Sequence, residues 1–243
     1  MKVEDKKKVA GAMIIGGLAL LFFCCLRRKR PPPEPEPDIT LEPQAGRLGN
    51  SVDGRVAQVL WNQTWNQIHD GPGNQVDTDQ KSYRIAIGAS TYGDTWDAIH
   101  RIIQTFPTTN SPPGIIAANL RLYCRLVNIE GPNTPSIAIF ESYPTTYNDL
   151  QLSDYGKIGS VPLSEPILLS SISYPGFLTI PLNDYGLTKI KSGQVTELAL
   201  REATYDAANK PPIWTEHQDL EALFYSADHP NPDYHPKLNL FYS

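Results

Sequence analysis

An alternation of side-chain character in the middle of the chain is the feature that most constrains the fold. Within the segment Ile115 to Val127, one set of alternate residues is Leu120, Leu122, Cys124 and Leu126, and the other is Arg121, Tyr123, Arg125 and Val127. A period of two over these eight residues predicts a strand that turns one face to the core and the other, with two arginines, to water. The segment therefore predicts a half-buried β-strand.

Further strand-like segments are separated by clusters of Pro, Gly and Asn. They are Tyr83 to Ser90, Trp96 to Phe106, Ser136 to Ser142, Gly176 to Leu182, Gln194 to Glu202, Asp219 to Ser226 and Pro236 to Tyr242. Helical patterning is scarce: Val56 to His69 is predicted to be partly helical, and Asp184 to Lys191 to form a single turn. Short strands with Pro and Gly punctuation are typical of antiparallel sandwiches. The sequence thus predicts an all-β domain.

The first 30 residues predict a membrane anchor with basic flanks. An uncharged apolar run extends for 18 residues from Val9 to Leu26, between Lys6–Lys8 and Arg27–Arg30. A helix of that length rises roughly 27 Å, close to the roughly 30 Å hydrocarbon core of a bilayer. A cleaved signal peptide is the alternative, but its apolar region is shorter and ends in small residues, whereas this run ends in Phe22–Cys25. We therefore expect a retained single-pass transmembrane α-helix. Because cations flank it equally on both sides, the positive-inside rule does not set its orientation.

A proline-rich segment follows the predicted anchor. Residues 31–38 read Pro-Pro-Pro-Glu-Pro-Glu-Pro-Asp. Proline fixes φ and removes a backbone donor, so polyproline II is the expected conformation and the segment reaches about 25 Å. A disordered linker has the same composition and is the alternative. The sequence is thereby divided into an anchor at 1–30, a stalk or linker at 31–47 and a β-sandwich domain at 48–243.

The charge of the chain is distributed unevenly. It carries 21 Lys and Arg against 26 Asp and Glu; eight of the cations and two of the acids lie in residues 1–30, which leaves 13 cations, 24 acids and a net charge of −11 for residues 31–243. Nucleic-acid binding requires a cationic surface, so it is not expected. Cys124 is the one cysteine beyond the anchor, so the predicted domain contains no internal disulfide.

Several segments resemble a known class of jelly-roll domain. They are Trp65 to Asn74 (WNQIHDGPGN), the strand that ends near Phe106, Ile116 to Tyr123 (IAANLRLY), Tyr147 to Ile158, Leu182 to Ile190 (LNDYGLTKI), Tyr225 to Asp228, and Pro236 to Tyr242. The class is that of the DNRLRE and carbohydrate-binding-module-like sandwiches of prokaryotic surface proteins and viral proteins, and the resemblance covers residues 52–243. It implies an antiparallel jelly-roll sandwich with a non-catalytic attachment or structural role, and it supplies no catalytic residues.

Aromatic residues in or beside predicted loops are candidates for glycan binding. The four selected residues are Tyr92, Trp96, Tyr205 and Trp214. An exposed aromatic ring beside Asp or Asn side chains stacks on a sugar while its neighbours donate and accept hydrogen bonds. The alternative is that these large side chains belong to the core.

Two oxygen-rich loops are candidates for binding calcium. The first contains Asp70, Asp77 and Asp79, and the second contains Asp228 and Asp233 together with His229 and His235, a set that also suggests zinc. Carboxylate oxygens are ligands that Ca²⁺ prefers. The alternative is that Asp and Asn form turns in these loops.

Cys24 and Cys25, at the edge of the predicted anchor, are candidates for S-acylation, with a purely apolar role as the alternative.

Enzymatic activity is not expected. Acidic residues that a glycosidase pair could use are Glu141, Asp149, Asp154, Glu165, Glu197, Glu202, Glu216, Asp219 and Glu221, but sequence alone does not pair them. The chain has no G-x-S-x-G, H-E-x-x-H or P-loop motif.

The sequence therefore predicts a membrane-anchored, non-enzymatic structural or attachment protein. On the resemblance, a virion membrane is the first expected location and a prokaryotic cell envelope the second. The expected partners are a lipid bilayer, capsid or envelope proteins, glycans and a second copy of the chain. A carbohydrate-binding adhesion module is the alternative function, and a glycan hydrolase is a more remote one.

Overall fold

The computed structural model describes residues 35–44 and 52–243, most of which form antiparallel β-structure. The strands are β1 (Ile39–Leu41), β2 (Asp53–Gln63), β3 (Gln75–Asp77), β4 (Ser82–Ala89), β5 (Trp96–Phe106), β6 (Ile115–Ile129), β7 (Ser136–Ser142), β8 (Ile158–Pro162), β9 (Ile167–Leu168), β10 (Gly176–Pro181), β11 (Thr196–Glu202), β12 (Asp219–Tyr225) and β13 (Lys237–Tyr242). The α-helices are α1 (Trp65–His69) and α2 (Asp184–Leu187), and short 3₁₀ helices occur at Thr108–Asn110, Leu152–Gly156, Leu169–Ser171 and Pro232–Tyr234. The all-β prediction is confirmed for these residues.

The strands form two halves of a sandwich that meet at the β4–β5 pair. In one half the order is β4, β12, β6 and β10, with β13 also paired to β6 and β1 paired to β13. In the other half β5 pairs with β11 and β11 with β7, while β8 and β9 pair with β7. β2 lies on the other side of β5 and carries β3 at its edge. All of these pairings are antiparallel.

A β-bulge in β6 alters the predicted alternation. The expected outward residues Arg121 and Tyr123 are partly exposed, but Val127 is buried and Leu126 is exposed. The pairing of β6 with β12 explains this difference, because it passes from Leu126 to Cys124 and leaves Arg125 without a partner residue. One extra residue in a strand reverses the faces of the residues beyond it. The prediction that Val127 faces water is therefore wrong.

Two apolar cores stabilise the β-sandwich domain, called the head below. The larger core lies between the halves of the sandwich and includes Phe106, Leu120, Ile139, Leu200 and Phe224, all essentially inaccessible to solvent. The smaller core lies on the opposite face of β2 and β5, and it includes Val56, Trp65, Ile68, Trp96 and Tyr155. Burial of apolar area at about 25 cal/mol per Å² makes such cores the main favourable contribution to folding.

A buried ionic network closes the smaller core. Asp206 receives two hydrogen bonds from Arg101 (3.0 and 2.6 Å) and two from Arg201 (2.9 and 2.8 Å). The guanidinium of Arg101 also lies 3.9 Å from the ring centroid of Tyr155. Burial alone would raise the pKa of Asp206, but the charges of the two arginines outweigh it and lower that pKa. The carboxylate therefore stays ionised and fixes the loop that contains it.

A second buried carboxylate, that of Asp53, behaves in the opposite way. It accepts a hydrogen bond from the backbone N–H of Ala227 (2.9 Å), and its other oxygen has no hydrogen-bond partner among the described residues. Burial, together with the nearby charge of Asp228, raises the pKa of Asp53 to about 7. Asp53 is therefore protonated more readily in the folded chain than in the unfolded chain.

This difference predicts a specific pH dependence of stability. Since the pKa of Asp53 rises on folding from 3.8 to about 7, the wild-type free energy of unfolding is expected to fall as pH rises between those two values. The Asp53→Asn variant is expected to lose that part of the slope, which urea denaturation at a series of pH values measures. Identical pH profiles for the two proteins would contradict the assignment.

The N-terminal strand enters the head at one end of the sandwich. β1 pairs with β13, and the backbone N–H of Tyr242 donates to Asp38 at 2.7 Å. β1 lies within the stretch predicted as a stalk or linker, so part of that stretch is built into the sheet.

Within residues 35–44 and 52–243, no helix is both long enough and apolar enough to cross a membrane. The predicted anchor, with Cys24 and Cys25, lies outside the described residues.

The opposite end of the sandwich, called the loop end below, is made of loops with strained backbone. Each non-glycine residue with positive φ among the described residues lies there, at φ of 48 to 59°: Asn62, Asp94, Asn209 and His217. Asn and Asp tolerate this conformation better than other non-glycine residues. The N–H of His217 donates to the carbonyl of Ser90 at 3.3 Å, which joins two of the loops. Trp61, Tyr92 and Ile213 are each more than half exposed at this end.

Candidate functional site

An aromatic face covers the outer surface of the sheet that contains β6, β10 and β12. It consists of Tyr123 on β6, Phe177 on β10, Tyr225 on β12, and His229 and Tyr234 from the segment between β12 and β13. Phe177 and Tyr123 are directly opposite each other across the β10–β6 pair. Directly opposite residues project to the same side of an antiparallel sheet, which brings these rings together.

The rings of the aromatic face form one continuous group. The Tyr123 ring centroid lies 4.2 Å from that of Tyr234, 5.3 Å from that of Tyr225 and 5.0 Å from that of Phe177. His229 extends the group, with its ring centroid 4.0 Å from that of Tyr225. The distances of 5.0 and 5.3 Å are in the range of favourable aromatic pairs, and the other two are shorter. Phe177 remains 43% exposed, so an apolar ring surface is open to solvent.

Two local features hold the aromatic face in place. The Asn231 side chain accepts from the N–H of Asp233 (3.1 Å) and begins the 3₁₀ turn that contains Tyr234. The ring of His235 hydrogen-bonds to the carbonyl of His229 at 2.7 Å. These bonds close the segment over β12 and β6, so the face is assembled before any ligand arrives.

Polar groups border the aromatic face. The guanidinium of Arg121 lies 3.6 Å from the ring centroid of Phe177, a cation–π contact. Loss of solvent around its hydroxyl, together with the nearby hydroxyls of Tyr234 and Tyr225, raises the pKa of Tyr123. The Tyr123 hydroxyl therefore remains protonated and acts as a hydrogen-bond donor and acceptor beside the rings.

The four predicted glycan-binding residues lie at the loop end, not on the aromatic face. Trp96 is 2% exposed and Tyr205 is 9% exposed, so their rings belong to the smaller core and present no stacking surface. Trp214 is half-buried against the same core, while Tyr92 is 66% exposed. Trp96 packs edge-on against Trp65, with 5.4 Å between the ring centroids. Of the four, Tyr92 alone offers a well-exposed ring.

The predicted calcium ligands are dispersed. Within residues 35–44 and 52–243, no group of three or more His, Cys, Asp or Glu side chains is arranged to hold a metal ion. Asp70 contacts His69 at 2.6 Å, and Asp77 forms an ion pair with Arg55. Asp79 is exposed and accepts a long hydrogen bond of 3.4 Å from Gln80. The second predicted pair is likewise not assembled, since Asp228 lies close to Asp53 while Asp233 is exposed in the turn that begins at Asn231.

Sequence reasoning missed the aromatic face although one signal was present. Tyr123 occupies an outward position in the alternation that predicted β6, between the inward residues Leu122 and Cys124. Phe177 and Tyr225 stand at outward positions of strands far away in the sequence. Their proximity depends on which strands pair with β6, and a single sequence does not contain that information.

These observations define the described chain as an all-β sandwich protein with a preformed, exposed aromatic surface. No protein-family model matches the chain, and no curated protein matches it significantly.

Proposed function

We propose that this protein is a non-enzymatic attachment protein whose sandwich head binds carbohydrate through the aromatic face. The observation that carries the proposal is the group of rings formed by Tyr123, Phe177, Tyr225 and Tyr234. Sugar rings have apolar faces that stack on aromatic side chains, and their hydroxyls bond to polar groups at the border. The tyrosine hydroxyls and Arg121 supply such groups.

We further propose that the head is a jelly roll, as the sequence resemblance implies. The two strand orders, β4–β12–β6–β10 and β5–β11–β7–β8, support this topology. In them the chain passes from one half to the other at β4–β5, β5–β6 and β6–β7, and again at β9–β10, β10–β11 and β11–β12. Jelly rolls are double-sheet sandwiches that occur in lectins and viral capsids. The predicted anchor adds attachment to a lipid bilayer, with a virion membrane preferred over a cell envelope on the resemblance alone.

Several carboxylates considered for hydrolysis have structural partners, which supports a non-enzymatic role. Glu141 contacts Lys189 at 2.7 Å, and Glu197 pairs with Lys191. Glu202 is buried and accepts from the backbone N–H groups of Ser136 and Asp206 at 2.9 Å each. A catalytic pair needs one carboxyl group to donate a proton and the other to remain free as a base or nucleophile.

Carbohydrate binding is tested with the full-length protein in mild detergent on columns of immobilised dextran, xylan, chitin and β-glucan. We expect wild type to be retained on at least one of them, and Tyr225→Ser and Phe177→Ser to bind about tenfold more weakly because each removes a stacking surface. Thermal unfolding of each variant confirms that the head is folded.

Tyr92→Ser is the matched control, because it removes an aromatic ring at the loop end that is more exposed than those of Phe177 and Tyr225. It is expected to bind like wild type. Loss of binding in Tyr92→Ser with normal binding in the other two variants would place the site at the loop end. Absence of wild-type retention on every column would count against carbohydrate binding.

A further inference from the structure

A small pocket adjoins the aromatic face. Its volume is about 260 Å³, and it is lined by Arg55, Asp77, Gln80, Ser82, Tyr83, Arg84 and Leu223. Ser82 is directly opposite Tyr225 across the β4–β12 pair, and Arg84 is opposite Leu223. Because opposite residues share a face of the sheet, Ser82 of the pocket lies beside Tyr225.

A buried histidine lies between the two arginines of this pocket. Nδ1 of His100 is 3.2 Å from an Nη atom of Arg55, and Nε2 is 3.1 Å from an Nη atom of Arg84. His100 is 1% exposed. Burial, and then the charges of Arg84 and Arg55, lower the pKa of His100 well below its ordinary value. The imidazole is therefore neutral at neutral pH.

A neutral imidazole satisfies only one of the two arginines. It has one nitrogen that accepts a hydrogen bond and one that carries a proton, whereas guanidinium groups only donate. One of the two Arg–His contacts therefore brings two N–H groups together, and that guanidinium needs another acceptor. In addition, Nε of Arg55 has no hydrogen-bond partner within the described part of the chain.

Arg84 is the arginine that is more available to a ligand. Arg55 is held by a close ion pair with Asp77, whereas Arg84 contacts Glu221 only at 3.5 Å. The Arg84 side chain is 38% exposed, against 17% for Arg55. The pocket lining contains two cations and one acid, and the carboxylate of Glu221 lies at its border beside Arg84.

The size of the pocket limits what enters it. Pockets for drug-sized ligands measure roughly 300–1,000 Å³, so about 260 Å³ suits one charged substituent and not a whole oligosaccharide. Guanidinium groups match the oxygens of sulfate and phosphate through paired, charge-assisted hydrogen bonds. The hydroxyl of Ser82 and the amide of Gln80 are further donors in the lining.

We propose that the pocket between Arg55 and Arg84 binds a sulfate or phosphate substituent of a polysaccharide whose sugar ring stacks on Tyr225. This inference rests on the proposed carbohydrate function and assigns the chemistry of the ligand. The donors are Arg84 and the Nε of Arg55, which has no hydrogen-bond partner among the described residues. The neighbouring rings hold the sugar that carries the charged group.

The anion site is tested first with inorganic sulfate. Thermal unfolding of the full-length protein is followed in sodium sulfate and in sodium chloride of equal ionic strength. A ligand that binds only the folded state raises the melting temperature as its concentration increases. We expect an additional sulfate-dependent rise in wild type and in Arg125→Gln, a control that removes an exposed arginine of β6 outside the pocket. Arg84→Gln is expected to lose that rise.

The polysaccharide is tested with a matched pair, dextran sulfate and dextran. We expect wild type to bind dextran sulfate more tightly than dextran, and Arg84→Gln to lose about tenfold in affinity for dextran sulfate alone. Equal weakening by Arg84→Gln and Arg125→Gln would show non-specific attraction and overturn the proposal. Binding of both polymers with no effect of Arg84→Gln would overturn the anion pocket while leaving carbohydrate binding intact. A sulfate effect that depends on Arg84, without binding of either polymer, would mean an adventitious ion only and would overturn the proposed ligand.

Discussion

Replacing Asp206 with Asn is expected to lower the free energy of unfolding by about 3–5 kcal/mol, the usual effect of removing one partner from a buried ion pair. The carboxylate of Asp206 receives four hydrogen bonds from Arg101 and Arg201, and all three side chains are almost fully buried. Asn removes the negative charge and leaves two guanidinium groups in the interior without a counter-charge. Urea or guanidinium denaturation of the full-length protein measures the effect.

Asp233→Asn is the matched control, since Asp233 is exposed in a turn and its substitution is expected to change stability by less than about 0.5 kcal/mol. Equal losses in the two variants would contradict the assigned role of Asp206.

The network also predicts sensitivity to acid. Because folding lowers the pKa of Asp206 from its ordinary value of 3.8, its contribution to stability is present above that pH and is lost as the pH falls further.

Replacing Trp96 with Ala is the second variant for which we expect a large effect. Trp96 is 2% exposed and its ring packs edge-on against Trp65 in the smaller core. Truncation of a buried Trp removes apolar contacts and leaves a cavity, which costs about 3–5 kcal/mol. The expected result is a large decrease in the denaturation midpoint. Any weakening of polysaccharide binding should then match the fraction of unfolded protein.

Tyr92→Ala is the comparison for Trp96, because both residues flank the same loop but Tyr92 is 66% exposed. Its effect on stability is expected to be within about 0.5 kcal/mol of zero. If Trp96→Ala instead retained wild-type stability and lost polysaccharide binding, Trp96 would be a binding residue and its assignment to the core would be wrong.

Most strands could be predicted from the sequence because their determinants are local. Trp96–Phe106 and Ser136–Ser142 were predicted with the bounds that the structure has, since alternating or β-rich segments there end at Pro, Gly or Asn. The stretch Val56 to His69, predicted to be partly helical, is helical at Trp65–His69, while its first part belongs to β2. In β2 the adjacent residues Val56, Ala57 and Gln58 are all buried, so the alternation that identifies a half-buried strand is weak there.

The candidate site was harder to predict because its residues are brought together by strand pairing. Trp96 and Tyr205 stand beside loops in the sequence, yet each side chain turns inward and is buried. The exposed ring of Phe177 and the half-buried ring of Tyr225 occur within strands, where an aromatic residue more often belongs to a core. The two arginines that contact His100 lie on other strands, so their proximity follows from the register of β2, β4 and β5 and not from the local sequence.

The position of β1 has a mechanical consequence for the proposed attachment function. The chain that precedes the head continues directly into β1, whose hydrogen bonds to β13 run across the strand direction. Tension applied along this strand while the head is bound to a surface loads those bonds in shear, so they must break together and not one after another. The tension then passes from β13 to β6, the strand that also contains Tyr123 of the aromatic face. A short edge strand thus connects the chain that precedes β1 to the aromatic face through two successive strand pairs, β1–β13 and β13–β6.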